Sequence, residues 1–147
     1  MMNNKHLRCM RGFTLIEVMV VVVILGILAG IVIPRLLDRP EEARRTKAQL
    51  QIKGIEEALA LFKLDNGFFP TTSQGLKALV NKPENGRIPT RYRENGYLKA
   101  LPEDPWGGRY IYLCPGLNGE YDLLSYGADG EPGGEGKNAD VKSWEIK

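Results

Sequence analysis

The chain has 147 residues, of which 43% are apolar and 26% charged, a size and composition typical of one globular domain rather than a disordered segment. Its 20 Lys and Arg nearly balance 18 Asp and Glu and form no basic block, which excludes the electrostatic footprint of a nucleic-acid-binding protein. The single histidine is His6. Removal of the N-terminus would therefore exclude a Ser-His-Asp triad, a Cys-His pair and a histidine-ligated zinc site.

A strongly apolar segment lies near the N-terminus. Residues 18–33 read VMVVVVILGILAGIVI, and with the stretch back to Phe13 they make about 21 residues, enough for a helix to cross a hydrocarbon core of roughly 30 Å. Lys5, Arg8 and Arg11 precede it, which predicts a cytoplasmic N-terminus and an external C-terminal part. A cleaved secretory signal is a poor alternative because the core is too long, whereas a plain signal anchor fits the length.

Glu17 places a carboxylate inside this apolar segment. A charge there is costly and indicates a function or a partner, unless the side chain lies near the interface or stays protonated. Residues 11–17 read RGFTLIE, which resembles the cleavage and methylation motif of type IV prepilins and of the pseudopilins of type II secretion. The resemblance implies that a prepilin peptidase cuts after Gly12 and methylates the new amino terminus at Phe13. It also implies that Glu17 pairs with the terminal amine of a neighbouring subunit during assembly.

These assignments predict a removed leader at residues 1–12, a transmembrane and assembly helix at 13–34, and a periplasmic domain at 35–147. The leader carries three basic residues and no acidic one. Its removal would leave a chain with 17 Lys and Arg and 18 Asp and Glu. Cys114 is then the only cysteine, and no intramolecular disulfide can form.

Past Pro34 an amphipathic helical pattern resumes, with Pro40 suited to a first turn, and it is predicted to end at Asn66-Gly67, a typical C-terminal signal. If it is continuous with the apolar segment, the two make one rod from Phe13 to about Leu64, roughly 75–80 Å long. The apolar side chains of the amphipathic part recur at helical spacing and predict one buried face. They are Ala48, Ile52, Ile55, Ala58, Leu59 and Phe62. Residues 73–80 predict a short second helix capped by Thr72 or Ser73, and residues 81–95 a surface loop with a solvated basic face.

The C-terminal third predicts β structure. Residues 109–113 and 121–125 read as strands joined through Asn118-Gly119, a strong hairpin signal, and residues 141–144 as a third strand. Three antiparallel strands laid on a long helix make a small α+β fold with a type IV pilin-like architecture.

Three further segments of the sequence make the resemblance more specific within this family. The segments KLDNGFFPT at 63–71, LPEDPWG at 101–107 and SYGADG at 125–130 resemble the major pseudopilins of the type II secretion system, in order along the chain. Ordinary type IV pilins usually close their C-terminal region with a disulfide, which this sequence cannot form. The resemblance implies a structural subunit that polymerises into a periplasmic pseudopilus and helps to export folded proteins across the outer membrane. A type IV pilin or minor pseudopilin in adhesion, motility or DNA uptake is the alternative.

The glycine-rich, acidic loop at 125–140 is a candidate calcium site. By itself such a loop is more often a solvated turn, although its carboxylates and carbonyls are the oxygens that Ca²⁺ prefers. The resemblance implies a structural Ca²⁺ held by Asp129, Asp140 and the backbone carbonyl of Tyr126. Relatives with an Asp-Asp pair differ from the Ala139-Asp140 found here, and either Glu135 or Asn138 would fill that gap.

The resemblance also implies the location and the partners. The subunit would cross the inner membrane once, with its C-terminal domain in the periplasm. It would contact copies of itself, minor pseudopilins, the prepilin peptidase and an inner-membrane assembly platform, and it would not bind nucleic acid. A membrane-anchored hydrolase is disfavoured because no paired Asp/Glu constellation stands out, and no enzymatic activity is expected.

Overall fold

The computed structural model describes residues 12–146, apart from the side chains of residues 30–39. The predicted leader therefore lies outside the described residues, except for Gly12. Helix α1 (Leu15–Asn66) is followed by a 3₁₀ helix at Leu76–Leu79 and by strands β1 (Ile111–Leu113), β2 (Asp122–Ser125) and β3 (Val141–Lys142), with short 3₁₀ helices at Gly136–Asn138 and Ser143–Glu145. The chain divides into two compact units, Met1–Arg39 and Pro40–Lys147.

Helix α1 contributes to both units. The helical assignment is continuous through Pro34 and Pro40, which confirms the alternative of one continuous helix and shows that Pro40 is not in the first turn of a separate one. Proline removes one backbone donor, but its fixed φ is close to the helical value. The predicted end is confirmed: Gly67 has a φ of 80° and its N–H donates to the carbonyl of Lys63 (2.7 Å). This left-handed conformation suits glycine and satisfies a terminal carbonyl of the helix.

The buried face of α1 forms the core of the second unit, as the periodicity predicts. Phe62 is fully buried and stands edge-on to the rings of Phe68 and Tyr92, with centroids 5.7 and 6.3 Å away. Edge-to-face pairs of this kind add to the free energy gained by burial alone. The predicted members of the face are all buried, namely Ala48, Ile52, Ile55, Ala58, Leu59 and Phe62.

The predicted second helix is shorter and of a different type. Only Leu76–Leu79 is helical, as one 3₁₀ turn, and Gly75 before it has a φ of 60° and provides no side-chain cap. Thr72 does not act as the cap, because its hydroxyl donates to the carbonyl of Cys114 (3.0 Å) and accepts from the Cys114 N–H (2.8 Å). A tertiary contact thus replaces the local cap that the sequence predicts.

The sheet is antiparallel in the order β1-β2-β3, which confirms the α+β class. The third strand is shorter than predicted, since Ser143–Glu145 turns into a 3₁₀ helix. Asp122 at the start of β2 accepts the backbone N–H groups of Leu117 (2.9 Å) and Asn118 (3.0 Å). Burial alone would raise the pKa of Asp122, but these hydrogen bonds, with one from the Asn118 amide, lower it overall.

Residues 81–95 have no regular secondary structure, as predicted, but their basic side chains are not simply solvated. The guanidinium of Arg87 lies 4.2 Å from the ring centroid of Phe68. Arg93 donates to Asp65 (2.7 Å), and this hydrogen bond lowers the pKa of the Asp65 carboxyl. The loop is therefore attached to the C-terminal end of α1 by cation–π and ionic contacts.

Candidate functional site

The first candidate site is the N-terminal segment of α1, whose apolar side chains have no cover. The large hydrophobic residues from Phe13 to Leu28 are each at least 48% exposed. They are Phe13, Leu15, Ile16, Val18, Met19, Val20, Val21, Val22, Val23, Ile24, Leu25, Ile27 and Leu28. An apolar surface of this extent in water marks an interaction surface for protein or lipid.

The described part of this segment is shorter than the span that the sequence predicts. Among the described residues, no helix has both the length and the apolar character needed to cross a membrane. Residues 30–34 of the predicted 13–34 span have side chains outside the described set. The transmembrane assignment stays a prediction.

Glu17 has a local role that the sequence reasoning missed. The N–H of Thr14 donates to Glu17 Oε2 (3.3 Å), and the N–H of Glu17 donates to Thr14 Oγ1 (3.4 Å). This reciprocal pair is a capping box, which satisfies two backbone donors at the start of the helix. Its signal was readable in the sequence as Thr-x-x-Glu before an apolar run. Glu17 therefore stabilises its own helix, whatever it contacts in a neighbouring subunit.

Gly12 is not needed for close packing within the described structure. A Cβ at this position would meet no atom within 4 Å. The adjoining Phe13 is 78% exposed. Both sides of the predicted cleavage point are thus open to another molecule, and no described contact requires a glycine there.

The second candidate site is the loop between β2 and β3. Its glycines have positive φ at five positions, namely Gly127, Gly130, Gly133, Gly134 and Gly136. At Gly134 a Cβ would lie 2.3 Å from the carbonyl oxygen of Asn138, so only glycine allows this backbone approach. At Gly127 a Cβ would lie 3.0 Å from the carbonyl oxygen of Ala139. The loop is folded back on itself and closely packed.

Asp140 is the predicted ligand that the structure supports best. Its side chain is 9% exposed, and its Oδ2 accepts the N–H of Gly133 (3.0 Å) across the loop. Its own N–H donates to the carbonyl of Gly133 (3.1 Å). The second carboxylate oxygen, Oδ1, is buried without any hydrogen-bond partner. A buried, unsatisfied carboxylate oxygen is costly, and a bound cation would remove that cost.

The other predicted ligands are placed less favourably. Asp129 is exposed and its Oδ1 accepts the N–H of Glu131 (3.2 Å), while Glu135 and Asn138 are exposed. Tyr126 is half-buried and follows the last residue of β2. Among the described side chains, at 12–29 and 40–146, no three of Asp, Glu, His or Cys cluster closely enough to hold a metal ion. The predicted carboxylates are therefore not gathered into one cluster.

The chemistry of the loop fits a hard cation. Its donors are carboxylate, amide and backbone carbonyl oxygens, which are the ligands of Ca²⁺, and Asp140 Oδ1 is a buried oxygen that lacks a partner. Asp140 would provide the buried carboxylate, and the carbonyl of Tyr126 and the side chain of Asp129 are the candidates that complete the set.

Sequence reasoning overlooked the residues that hold the two ends of this loop. The hydroxyl of Ser125 donates to Asp104 Oδ2 (2.6 Å) and accepts the N–H of Gly127 (3.1 Å). At the other end, Arg45 on α1 donates to the carbonyl oxygens of Ala139 (2.7 Å) and Asp140 (3.5 Å). Asp104 and Ser125 lie in motifs that the sequence had singled out, but nothing local distinguishes Arg45.

Two known protein families match this chain. Residues 35–144 match the family described as Type II secretion system (T2SS), protein G. Residues 7–33 match the Prokaryotic N-terminal methylation motif, and this stretch contains Gly12, Phe13 and Glu17.

Similar proteins cover nearly the whole chain. Proteins named Type II secretion system core protein G from Vibrio cholerae and Pseudomonas aeruginosa are 55% and 54% identical to it, over 97% and 91% of this chain and 97% and 94% of their own lengths. The crystal structure of the major pseudopilin from the type 2 secretion system of enterohaemorrhagic Escherichia coli is 40% identical, with a TM-score of 0.69, and the match covers 76% of this chain and 92% of that one. This likeness confirms the predicted pilin-like α+β fold.

Proposed function

The chain belongs to the type II secretion system protein G family, the major pseudopilins, and we propose that its subunits polymerise through residues 13–33 into the periplasmic filament of that system. The observation that carries this proposal is the uncovered apolar surface of α1 from Phe13 to Leu28. Packing such helices against one another removes this surface from water, and close van der Waals packing between the helices favours the same association in lipid. The role is structural rather than enzymatic.

Processing would prepare this surface for assembly. In our proposal, a prepilin peptidase cuts after Gly12 and methylates the amino terminus of Phe13. The match of residues 7–33 to the N-terminal methylation motif supports this step, as does the open space around Gly12. The new ammonium group would lie one helical turn from Glu17. The glutamate of one subunit then pairs with the amine of its neighbour, which compensates two charges in an apolar setting.

The location follows from the same segment. We propose a single pass through the bacterial inner membrane, with the N-terminus cytoplasmic and the domain from residue 35 in the periplasm. The basic residues before the apolar run support this orientation. Growth of the filament from an inner-membrane assembly platform, with minor pseudopilins as further partners, would help to push folded proteins through the outer membrane.

We further propose that the loop at 125–140 binds a structural Ca²⁺. The buried, unpartnered Oδ1 of Asp140 and the all-oxygen donor set support this proposal. The ion would neutralise Asp140 and link the two loop ends, and so would stabilise the sheet at β2 and β3.

Deletion of the gene tests the function at the level of the cell. We expect folded exoproteins to accumulate in the periplasm of the deletion strain, because no filament grows, and secretion to return on complementation with the intact gene. Complementation with a gene that encodes only residues 35–147 behind a cleaved secretory signal is the control, and it should restore nothing. The alternative role as a type IV pilin predicts intact secretion and loss of long surface filaments, which would contradict the proposal.

A further inference from the structure

Two side chains on the same turn of α1 attach it to the two ends of the candidate calcium loop. Glu41 and Arg45 are four residues apart and so lie on one face of the helix. Arg45 is half-buried, and its two terminal nitrogens reach the carbonyl oxygens of Ala139 (2.7 Å) and Asp140 (3.5 Å). These two carbonyls close the C-terminal end of the loop, immediately before β3.

The N-terminal end of the loop is attached less directly. The indole N–H of Trp106 donates to Glu41 (3.0 Å), and the N–H of the same residue donates to Asp104 Oδ1 (3.1 Å). The other carboxylate oxygen of Asp104 accepts a hydrogen bond from the buried hydroxyl of Ser125, and this hydroxyl accepts one from the N–H of Gly127. A chain of hydrogen bonds therefore joins Glu41 to the first residues of the loop.

We infer that Arg45 is a positioning residue for the cation site: by holding the carbonyls of Ala139 and Asp140 from the helix side, it keeps the Asp140 carboxylate facing Gly133 with Oδ1 free for the ion. The buried, unpartnered Oδ1 of Asp140 is the independent observation that points to a ligand. This inference rests on the proposed calcium site. It adds that helix α1 itself completes the site, although it supplies no ligand.

Two possible roles of Arg45 predict opposite changes in Ca²⁺ affinity when the residue is replaced, one through its charge and one through its positioning of the loop. A guanidinium close to the loop repels a divalent cation, so loss of its charge alone would tighten Ca²⁺ binding. Loss of positioning has the opposite effect, because the free loop must then be ordered by the ion and affinity falls. Outer partners of metal ligands typically contribute about 10–100-fold in metal affinity, and we expect a weakening of at least about tenfold for Arg45→Ala.

The chain offers a matched control in the preceding residue. Arg44 carries the same charge on the same turn, and its side chain is 54% exposed. It pairs with Glu41 Oε2 at 3.5 Å, whereas the indole of Trp106 donates to the other oxygen, Glu41 Oε1. Arg44→Ala therefore removes one positive charge from this turn of the helix, while Arg45 still holds the carbonyls of Ala139 and Asp140. Arg45→Lys keeps the charge but loses the fork that spans two carbonyls.

The test is calcium titration by calorimetry on the full-length protein in detergent micelles, with thermal melting recorded in EDTA and in excess Ca²⁺. We expect Arg45→Ala to raise the Kd for Ca²⁺ at least about tenfold, Arg45→Lys to lie between it and the wild type, and Arg44→Ala to stay within about twofold. An Arg45→Ala variant that binds Ca²⁺ as tightly as the wild type, or more tightly, overturns the inference and leaves the calcium site standing. A wild type that binds no Ca²⁺ overturns the calcium proposal and the inference with it.

The melting curves separate positioning from a general structural role. If Arg45 only stabilised the fold, Arg45→Ala would lower the melting temperature equally in EDTA and in Ca²⁺, and this result would also overturn the inference. We expect instead that the variant melts close to the wild type in EDTA and, at a Ca²⁺ concentration about a hundredfold above the wild-type Kd, loses about half of the rise that Ca²⁺ gives to the wild type.

Discussion

Replacement of Glu17 by alanine is expected to abolish filament assembly while the subunit stays folded and in the membrane. The proposed pair between Glu17 and the terminal amine of a neighbour is formed in an apolar setting, where removing one partner of an ion pair costs about 3–5 kcal/mol. A loss of that size at each subunit contact leaves almost no filament. The measurement is electron microscopy of filaments sheared from cells that overproduce the secretion system, with the level of membrane-bound subunit determined by immunoblotting.

The capping box provides the controls for this experiment. Glu17→Gln keeps a side chain that can accept the Thr14 N–H but removes the charge. Thr14→Ala removes the hydroxyl that caps the Glu17 N–H and keeps the charge. If the charge pair drives assembly, Glu17→Gln fails like Glu17→Ala, and Thr14→Ala assembles with a helix weakened by about 0.5–2 kcal/mol. Normal filaments from Glu17→Gln together with failure of Thr14→Ala would assign the role of Glu17 to capping alone and contradict the pairing proposal.

Replacement of Asp140 by asparagine is expected to remove most of the stabilisation by Ca²⁺ without weakening the calcium-free protein. At a hundredfold excess over its Kd, a ligand that binds only the folded state contributes about 2.7 kcal/mol, which raises the melting temperature of a domain of this size by on the order of 10 °C. The variant loses most of this gain because its amide still offers an oxygen but not the negative charge with which the buried carboxylate attracts Ca²⁺. In EDTA it should melt at or above the wild type, since the buried unpartnered oxygen Oδ1 no longer carries charge.

Asp122→Asn is the matched control for the Asp140 variant. Asp122 is 2% exposed and thus also buried, but both of its carboxylate oxygens accept hydrogen bonds, from Leu117 and Asn118. This substitution should destabilise the protein in EDTA and in Ca²⁺ alike, and leave the response to Ca²⁺ intact. Calcium stabilisation that persists in Asp140→Asn, measured by the same thermal melts, would exclude Asp140 as a ligand.

The features that the sequence predicts correctly depend on local patterns. The buried face of α1 follows from helical spacing of apolar residues, and its end follows from Gly67, whose φ of 80° few other residues adopt. The three strands follow from apolar runs separated by turn residues. The capping box of Thr14 and Glu17 has an equally local signal, the spacing Thr-x-x-Glu at the start of the helix.

The features that the sequence does not predict depend on contacts between distant residues. Thr72 leaves its expected capping role because it is hydrogen-bonded to Cys114, 42 residues later. Arg45 is separated by 94 residues from Ala139, and no pattern distinguishes it from Arg44 before the chain is folded. Within the loop, the resemblance favours Asp129 and Asp140 over the other acidic residues, and only burial distinguishes Asp140 from Asp129.

The central claim is that this chain is a processed subunit of a filament, and the intact mass and N-terminal peptide of the protein purified from membranes test it most directly. We predict a chain that begins with N-methylated Phe13, because residues 7–33 match the N-terminal methylation motif and we propose cleavage after Gly12. A chain that still begins at Met1, in cells with an active prepilin peptidase, would make the protein a simple membrane-anchored protein. A chain that begins beyond Pro34 would indicate ordinary secretion, and either result would contradict assembly through residues 13–33.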